Sequence, residues 1–378
     1  MKFKKASRLV LVNFGVFFLF LSFAEIVSRA YESISPESQY QHRLQQQIGK
    51  ETTQDSSSCK TPPIVTDSGN LSRYTEDFSC DGVTIQDGLR LTVGSPVNPS
   101  KTIHIFGGST VFGTGSSDSE TIPSYIQKIL NDRGVNVAVK NYGFMTLVAS
   151  QQLAALKAAK LSAGDIVLFY DGGNDAFNSF VYGSPEGTII GYNRNNKFAF
   201  ALVKARHYLQ SNSALYRVLG ALKADIAGKN SPSSAQCSDI PDDSSQDSYI
   251  SHYFDVLADS NSYAKSKGAQ FFHSLQPILG SSNGLLADES GRVLELLDVD
   301  GIARCTQESL LGYYSKLSEN YDKYLRRVNG LNLSNVFAGS TSSFSERYID
   351  WIHMTPAANK RIAEKLIHHM FLNANNLK

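Results

Sequence analysis

Short apolar runs of five to seven residues alternate with amphipathic stretches from Lys101 onward. Runs of this length are typical of buried strands and the stretches between them of helices, so the pattern indicates β/α units around a parallel sheet. The predicted strands are TIHIF at 102, NVAVK at 136, DIVLFY at 165, AQFFHSL at 269 and NVFAG at 335. The sequence therefore predicts a three-layer α/β domain with five parallel strands over residues 100–378.

The charge balance of the chain excludes one class of partner. Its 378 residues carry 36 basic and 35 acidic side chains, a formal net charge of +1. Proteins that bind nucleic acid usually carry a basic excess, so we expect no nucleic-acid partner. The sequence has no HExxH motif and no CxxC pair or Cys/His cluster with zinc spacing. We therefore expect no metal site and no organic cofactor.

The N-terminus carries the features of an export segment. Four positive charges in MKFKKASR precede sixteen uncharged residues, Leu9–Ala24. This run is longer than many signal-peptide cores and shorter than the ~20 residues of a membrane span. Apolar residues continue beyond a small-x-small pattern at Ser22 and Ala24, which favours an anchor over cleavage. We expect residues 1–30 to be a single-pass anchor in the inner membrane or, alternatively, a cleaved signal.

Either alternative exports the rest of the chain, to the periplasm or outside the cell. Residues 31–99 are rich in polar side chains and are predicted to be a stalk or N-terminal extension, with DGLRLTVG as a candidate edge strand. A polar insertion is predicted at about 228–248. The four cysteines suit an oxidising compartment, and a local Cys59–Cys80 pairing is plausible, although spacing alone leaves the connectivity open.

Each candidate site residue lies at or beyond the C-terminal end of a predicted strand, where ligands of open α/β sheets bind. Ser109 follows the first strand, Gly143 the second and Asn174 the third. Asp350 and His353 lie beyond the last strand, in DWIH. We expect these five residues to converge at one edge of the sheet.

The converging residue types are the parts of a nucleophilic site. A serine hydroxyl needs an imidazole to accept its proton, a carboxylate to orient that imidazole, and donors for an oxyanion. Ser109, His353 and Asp350 supply the first three. The Ser109 and Gly143 N–H groups and the Asn174 side-chain amide are the candidate oxyanion donors.

Taken singly, each residue has a simpler interpretation. Ser109 alone is explained by a helix cap and Asn174 alone by a turn. The occurrence of all these residues together, in order, favours the catalytic interpretation. Asp171 and Asp175 are predicted to hold the Asn174 loop, and Trp351 to pack in the core beside the site. The strand histidines His104 and His273 are predicted to be hydrogen-bonded core residues.

Together these segments resemble the ordered blocks of the SGNH/GDSL hydrolase superfamily. FGGSTVFG is similar to block I, NYGFMTLVASQQL to block II, DGGND to block III and DWIHMTPAANKRIAEKL to block V. The resemblance spans about residues 100–372 and implies a flavodoxin-like fold. It also implies that Ser109 is the nucleophile, that Asp350 and His353 complete the triad, and that Gly143 and Asn174 join the Ser109 N–H in the oxyanion hole.

Two positions depart from the family pattern. Gly108 stands where the family usually has the aspartate of GDS, and Thr146 stands where a glycine is often found. Neither residue supplies a triad side chain, so the departures bear on the substrate and the loop shape more than on the chemistry.

The resemblance implies an ester substrate, and export favours one at the cell envelope. We expect an esterase that removes O-acetyl or other short acyl groups from envelope carbohydrate. An O-acyltransferase or a lipid-ester hydrolase with the same triad is the alternative within this chemistry. A non-catalytic envelope protein that binds glycan or a partner is the alternative from another class.

Overall fold

The structure is a computed structural model that divides into two compact units, Met1–Thr53 with Lys197–Ser233, and Gln54–Asn196 with Ser234–Lys378. The residues it describes are 20–31, 64–66, 72–187, 192–193, 213–216, 218–219, 240–281, 304–338 and 344–373.

The larger unit is built on a mixed sheet of eight strands. Along the chain these are β3 Phe78–Cys80, β4 Val83–Gln86, β5 Leu89–Arg90, β6 Lys101–Gly107, β7 Val137–Gly143, β8 Ile166–Asp171, β10 Gln270–Leu275 and β11 Gly330–Asn332. Their spatial order is β11-β10-β8-β6-β7-β5-β4-β3. A separate sheet joins β1 Ile64–Thr66, β2 Ser72–Tyr74 and β9 Tyr192–Asn193.

Five neighbouring strands of the main sheet, β11 to β7, are parallel. Numbered along the chain from β6, they lie in the order 2-1-3-4-5, which is the flavodoxin-like order. The sequence predicted a five-stranded parallel sheet with DGLRLTVG as a candidate edge strand, which contains β5, and the observed sheet is larger and mixed. Strands β6 and β8 lie side by side where the order reverses, so the ends of these two strands frame the crevice in which such sheets bind ligands.

The fifth parallel strand differs in position from the prediction. Strand β11 covers Gly330–Asn332, whereas the predicted NVFAG begins at 335. Residues 335–338 form turns instead, because Val336 N–H donates to Leu333 O at 2.9 Å and Ala338 N–H to Asn335 O at 3.0 Å. Phe337 is buried by packing against Tyr348, which explains an apolar run without a strand.

Part of the predicted stalk belongs to this sheet. Strands β3, β4 and β5 pair in antiparallel fashion, and β5 pairs with β7 through Arg90 and Asn141. The buried Arg90 side chain donates to Asp118 Oδ1 at 2.7 Å and to the carbonyl oxygens of Phe112 and Ser116 at 3.2 and 2.8 Å. Residues 72–90 therefore support the strand–helix junction that follows β6.

The helices pack in two groups. Those described in the larger unit are α1 Ser109–Phe112, α2 Ile122–Asp132, α3 Ala149–Ala158, α4 Gly173–Tyr182, α5 Asp243–Ser266, α6 Arg304–Tyr324, α7 Phe344–Arg347 and α8 Pro356–Asn373. Helix α2 packs on α8, while α3, α4, α5 and α6 pack together. Right-handed crossovers from this strand order place the two groups on opposite faces of the sheet.

Two helix starts follow from side-chain caps. Thr121, predicted as a cap, accepts a hydrogen bond from Ser124 N–H at 3.2 Å. Asp242 accepts one from Ser245 N–H at 2.8 Å, so α5 begins at Asp243. The end of the predicted polar insertion, from Asp243 onward, is therefore helical, and residues 228–239 lie outside the described residues.

In the smaller unit, residues 20–31 are helical. The Glu25 carboxylate accepts hydrogen bonds from the N–H groups of Ala214 and Leu215 at 2.8 and 3.0 Å. No helix among the described residues combines the length and the apolarity needed to cross a membrane. Most of the predicted apolar run Leu9–Ala24 lies outside the described residues. Cys80 is disulfide-bonded, and its predicted partner Cys59 also lies outside them.

Candidate active site

Ser109 stands at the junction between β6 and α1. Two glycines precede it, and a β-carbon at Gly107 would lie 2.5 Å from the Tyr170 carbonyl oxygen and 2.3 Å from Val111 Cγ2. Strand β8 and the first turn of α1 therefore approach this backbone more closely than any side chain allows. Because Ser109 is the first residue of α1, its N–H has no acceptor within that helix.

Three side chains meet in a hydrogen-bonded chain. Ser109 Oγ lies 2.7 Å from His353 Nε2, and His353 Nδ1 lies 2.5 Å from Asp350 Oδ2. A histidine that donates its Nδ1–H to the carboxylate keeps Nε2 free to accept the hydroxyl proton of serine. Ser109 and His353 lie 244 positions apart along the chain, and the His353 ring links Ser109 through Nε2 and Asp350 through Nδ1.

The arrangement is that of a serine-hydrolase catalytic triad, as the resemblance to the SGNH/GDSL superfamily implied. Serine, histidine and aspartate come from the block I and block V segments of the sequence, and their side chains make the contacts that a triad requires. His353 is part-buried, with 17% of its side chain exposed, which leaves its ring reachable by a substrate.

The Asp350 carboxylate is fixed by three hydrogen bonds within its own turn. Its Oδ1 accepts from the N–H groups of Ile352 and His353 at 2.8 and 2.7 Å, while Oδ2 faces the His353 ring. Burial raises the pKa of Asp350, but the hydrogen bond and charge of His353 and the two backbone N–H groups outweigh it and lower the pKa below its usual value. The carboxylate is therefore held in its charged form.

Several solved structures are similar to this chain. TesA matches with 16% identity over 74% of this chain and 100% of its own, at a TM-score of 0.40. A member of the lipolytic protein G-D-S-L family from Veillonella parvula has 11% identity over 73% and 100%, at 0.39. An acetyl xylan esterase from Geobacillus stearothermophilus has 11% identity over 72% and 96%, at 0.36.

No protein-family model and no curated protein matches the sequence. The similarity to the solved structures is low in both identity and TM-score, so the description of the SGNH-type site rests on its motifs and its hydrogen bonds.

Asn174 lies beside the serine, as the sequence predicted. Its side-chain Nδ2 donates to the Leu147 carbonyl oxygen at 3.1 Å. A β-carbon at Gly108 would stand 2.2 Å from the same nitrogen, so the amide lies against the backbone that leads into Ser109. A side-chain amide has two N–H bonds, and the one not used by Leu147 is available to a substrate oxyanion.

The structure does not place Gly143 as a free donor. Its N–H donates to Asn141 Oδ1 at 2.8 Å and so has an acceptor within the protein. A β-carbon at Gly143 would lie 2.1 Å from the Phe112 backbone nitrogen. Close packing of β7 against α1 therefore explains this glycine, and the predicted oxyanion role would require breaking the bond to Asn141.

Thr146, which the sequence marked only as the position where the family often has a glycine, lies next to the residue that Asn174 contacts. It has a φ of 56°, the left-handed region that non-glycine residues seldom adopt. It precedes Leu147, the residue whose carbonyl accepts from Asn174. The one signal in the sequence was the missing glycine at this position, because backbone strain is visible only in the structure.

A buried polar layer lies behind the site. Asp171 Oδ1 accepts from Tyr253 Oη at 2.6 Å and lies 2.8 Å from His273 Nε2, and His273 Nδ1 lies 2.6 Å from Tyr321 Oη. These contacts confirm that His273 is a hydrogen-bonded core residue. His104 is likewise buried between Asp165 and Tyr142, with both ring nitrogens at 3.2 Å from their partners.

Trp351 packs as predicted. It is 9% exposed and stacks on Phe177 of α4, with ring centroids 5.5 Å apart and an angle of 29°. Trp351 also holds the backbone beside it, since its carbonyl accepts from Leu279 N–H at 2.8 Å. The tryptophan between Asp350 and His353 therefore anchors their turn to the core.

Proposed function

We propose that this protein is an exported serine esterase of the SGNH type, acting through an acyl-enzyme on O-acetyl or other short acyl esters of envelope carbohydrate. The observation that carries the chemistry is the continuous contact from Ser109 Oγ through the His353 ring to Asp350. The basic, apolar N-terminus supports export, with residues 1–30 as the membrane anchor and the catalytic unit in the periplasm or outside the cell.

The mechanism follows from the two ring nitrogens of His353. Its Nε2 accepts the Ser109 proton while Oγ bonds to the ester carbonyl carbon, and the carbonyl electrons move to oxygen. His353 then gives the proton to the departing alcohol, leaving an acyl group on Ser109. Water repeats the sequence and releases the acid. Asp350 keeps the ring oriented and stabilises its positive charge at each step.

The oxyanion is proposed to lie between three donors. These are the Ser109 N–H, the free N–H of the Asn174 amide, and the N–H of Thr146 in place of Gly143. The left-handed backbone of Thr146 and the bond that already engages Gly143 support this choice. Donors of this kind contribute when they are fixed before reaction.

Hydrolysis of p-nitrophenyl acetate by the full chain in detergent tests the proposal. Ser109→Ala should lower kcat at least about 10³-fold, since the nucleophile is lost while the fold is kept. Ser260→Ala is the matched control, because Ser260 is also buried but bonds to Val256 O within α5. Equal, negligible rates from the folded wild type and Ser109→Ala would reject the esterase proposal in favour of a binding protein.

Two further assays separate the proposed substrate from its alternatives. A strong preference for octanoate over acetate esters would favour a lipid-ester hydrolase. Product analysis with a sugar acceptor distinguishes transfer, which yields acetylated sugar, from hydrolysis, which yields free acetate.

A further inference from the structure

A single buried carboxyl group caps two helices at the site. Asp175 is 6% exposed, and its Oδ1 accepts from Ala149 N–H at 2.7 Å while Oδ2 accepts from Gly172 N–H at 3.3 Å. The contact with Gly172 is the ordinary reach of an N3 side chain to the start of its own helix, α4. The contact with Ala149 crosses to the first residue of α3, 26 positions away.

Neither N-cap residue supplies a capping side chain, since helix α3 follows Val148 and helix α4 follows Gly172. Gln151 of α3 accepts from Val148 N–H at 3.2 Å, but the N–H of Ala149, the first residue of α3, donates to Asp175. Asp175 therefore caps the start of its own helix and supplies an acceptor to the start of α3.

The proposed oxyanion donors Thr146 and Asn174 lie close in sequence to these two helix starts. Thr146 lies three residues before Ala149, and Asn174 lies two residues after Gly172. Asn174 itself crosses to Leu147 O at 3.1 Å. Neighbouring side chains of α4 thus hold the same loop, one through a carboxyl and one through an amide.

We propose that Asp175 is a positioning residue that keeps the Asn174 amide and the Thr146 backbone aligned on the carbonyl bound at Ser109. This inference rests on the proposed function and assigns an alignment role at that site. Loss of one Asp175 hydrogen bond would leave the triad intact, because the bonds among Ser109, His353 and Asp350 do not involve Asp175. The effect should therefore fall on the stabilisation of the oxyanion rather than on substrate binding.

The charge of Asp175 guides the choice of variant. Burial, followed by the charge of Asp171, raises the pKa of Asp175 well above its usual value, and the backbone N–H bonds offset this in part. Asparagine is a neutral side chain of the same size. It has one acceptor oxygen where Asp175 uses two, so Asp175→Asn removes one contact with little change in volume.

Asp165 offers a matched control substitution at the opposite edge of the sheet. Asp165 is 4% exposed, and its two oxygens accept from Thr102 N–H at 2.9 Å and Ser162 N–H at 2.8 Å. It precedes β8, whereas Asp175 follows it. Asp165→Asn therefore damages a similar buried carboxyl without touching the donors around Ser109.

The experiment measures kcat, KM and inhibition by an alkyl trifluoromethyl ketone, whose adduct with Ser109 carries an oxyanion, using the full chain in detergent. Asp175→Asn should lower kcat about 10- to 100-fold, leave KM within about threefold, and raise the inhibition constant by the factor lost in kcat/KM. Asp165→Asn should change kcat and the inhibition constant less than about threefold.

A second variant removes the donor instead of the acceptor. Ala149→Pro deletes the N–H that bonds to Asp175 Oδ1. Proline suits the first position of a helix. Val148 already has the extended backbone that a following proline favours, with φ −101° and ψ 168°. It should reproduce the fall in kcat even where Asp175→Asn fails to fold. Unchanged kcat and inhibition in the folded variants would overturn the inference. A wild type without Ser109-dependent hydrolysis would instead reject the proposed function, and the inference with it.

Discussion

Gly108 and Asn174 are packed so closely that a β-carbon at position 108 would lie 2.2 Å from Asn174 Nδ2. The glycine in the GGS motif thus does more than permit a turn, because it provides the space in which the amide lies. In the sequence, Gly108 stood out because the family usually has an aspartate there. In the structure, this position packs against the side chain of Asn174.

Gly108→Ala should displace the Asn174 amide and impair turnover. The clash is with the end of a flexible side chain, so the fold can adjust while the amide moves. We expect kcat to fall about 10- to 100-fold with a small change in stability. Steady-state kinetics and urea unfolding measure the two effects. Gly312→Ala on α6 is the control, because an added β-carbon there meets nothing within 4 Å. An unchanged kcat in Gly108→Ala would contradict the placement of the Asn174 amide.

Gly143→Ala should act on stability rather than through a lost oxyanion donor. Its β-carbon would meet backbone, 2.1 Å from Phe112 N and 2.7 Å from Phe112 Cα, so β7 and α1 must move apart. Overpacking of this kind costs about 1–3 kcal/mol, and urea unfolding measures it. Gly312→Ala should be neutral or stabilising, because alanine favours a helix interior. Unaltered stability would contradict the close packing of β7 against α1 at Gly143.

Some of the candidate site residues could be predicted from the sequence and others could not. Ser109 and Asn174 were predictable because each lies in a short motif at the end of a parallel strand, where ligands of such sheets bind. Asp350 and His353 were predictable because they share one motif beyond the last strand. Gly143 could not be assigned, since a donor and a close packing contact both require glycine. Thr146 was noted only as a missing family glycine and could not be given a role, because a left-handed φ in a non-glycine residue leaves no local signal.

The strands, too, were predicted only in part. Strands β6, β7, β8 and β10 were predicted from buried apolar runs, whereas β11, with no fully buried residue, was missed in favour of the turn around Phe337. The predicted stalk contains β3 to β5, whose pairing depends on long-range contacts such as that of Arg90 with Asp118. Such contacts are not encoded in local composition.

Asp350 predicts a pH dependence of stability with a definite sign. Its folded pKa lies below the usual value, so the unfolded chain binds the proton more readily. The stabilisation is complete above the unfolded pKa of about 3.9 and is lost as pH falls through the lower folded pKa. The stability difference between wild type and Asp350→Asn should therefore be constant from about pH 7 to 5 and shrink below about pH 4.

Urea unfolding across this range tests the sign. Asp132→Asn is a control, because Asp132 is 63% exposed and pairs with Lys128 on the surface of α2, and it should change stability little. A difference for Asp350→Asn that grows on acidification would mean that folding favours the protonated carboxyl, contrary to the observed contacts.

Arg90 predicts that the N-terminal extension is part of the catalytic unit. Arg90→Ala would leave Asp118 without its ion pair and would remove the donor to the carbonyl oxygens of Phe112 and Ser116. Because the arginine side chain is fully buried, breaking this pair should cost about 3–5 kcal/mol. Arg90→Lys keeps the charge but has three donors on one nitrogen, so it should recover only part of this loss.

The result separates a stalk from a structural element. Arg133→Ala, which removes a surface cation over the Phe371 ring, should cost no more than about 1 kcal/mol. If Arg90→Ala were as mild as Arg133→Ala, residues 72–90 would be a dispensable extension. A large loss of stability, accompanied by lower kcat in the protein that remains folded, would instead mean that β5 holds the end of the helix that begins at Ser109.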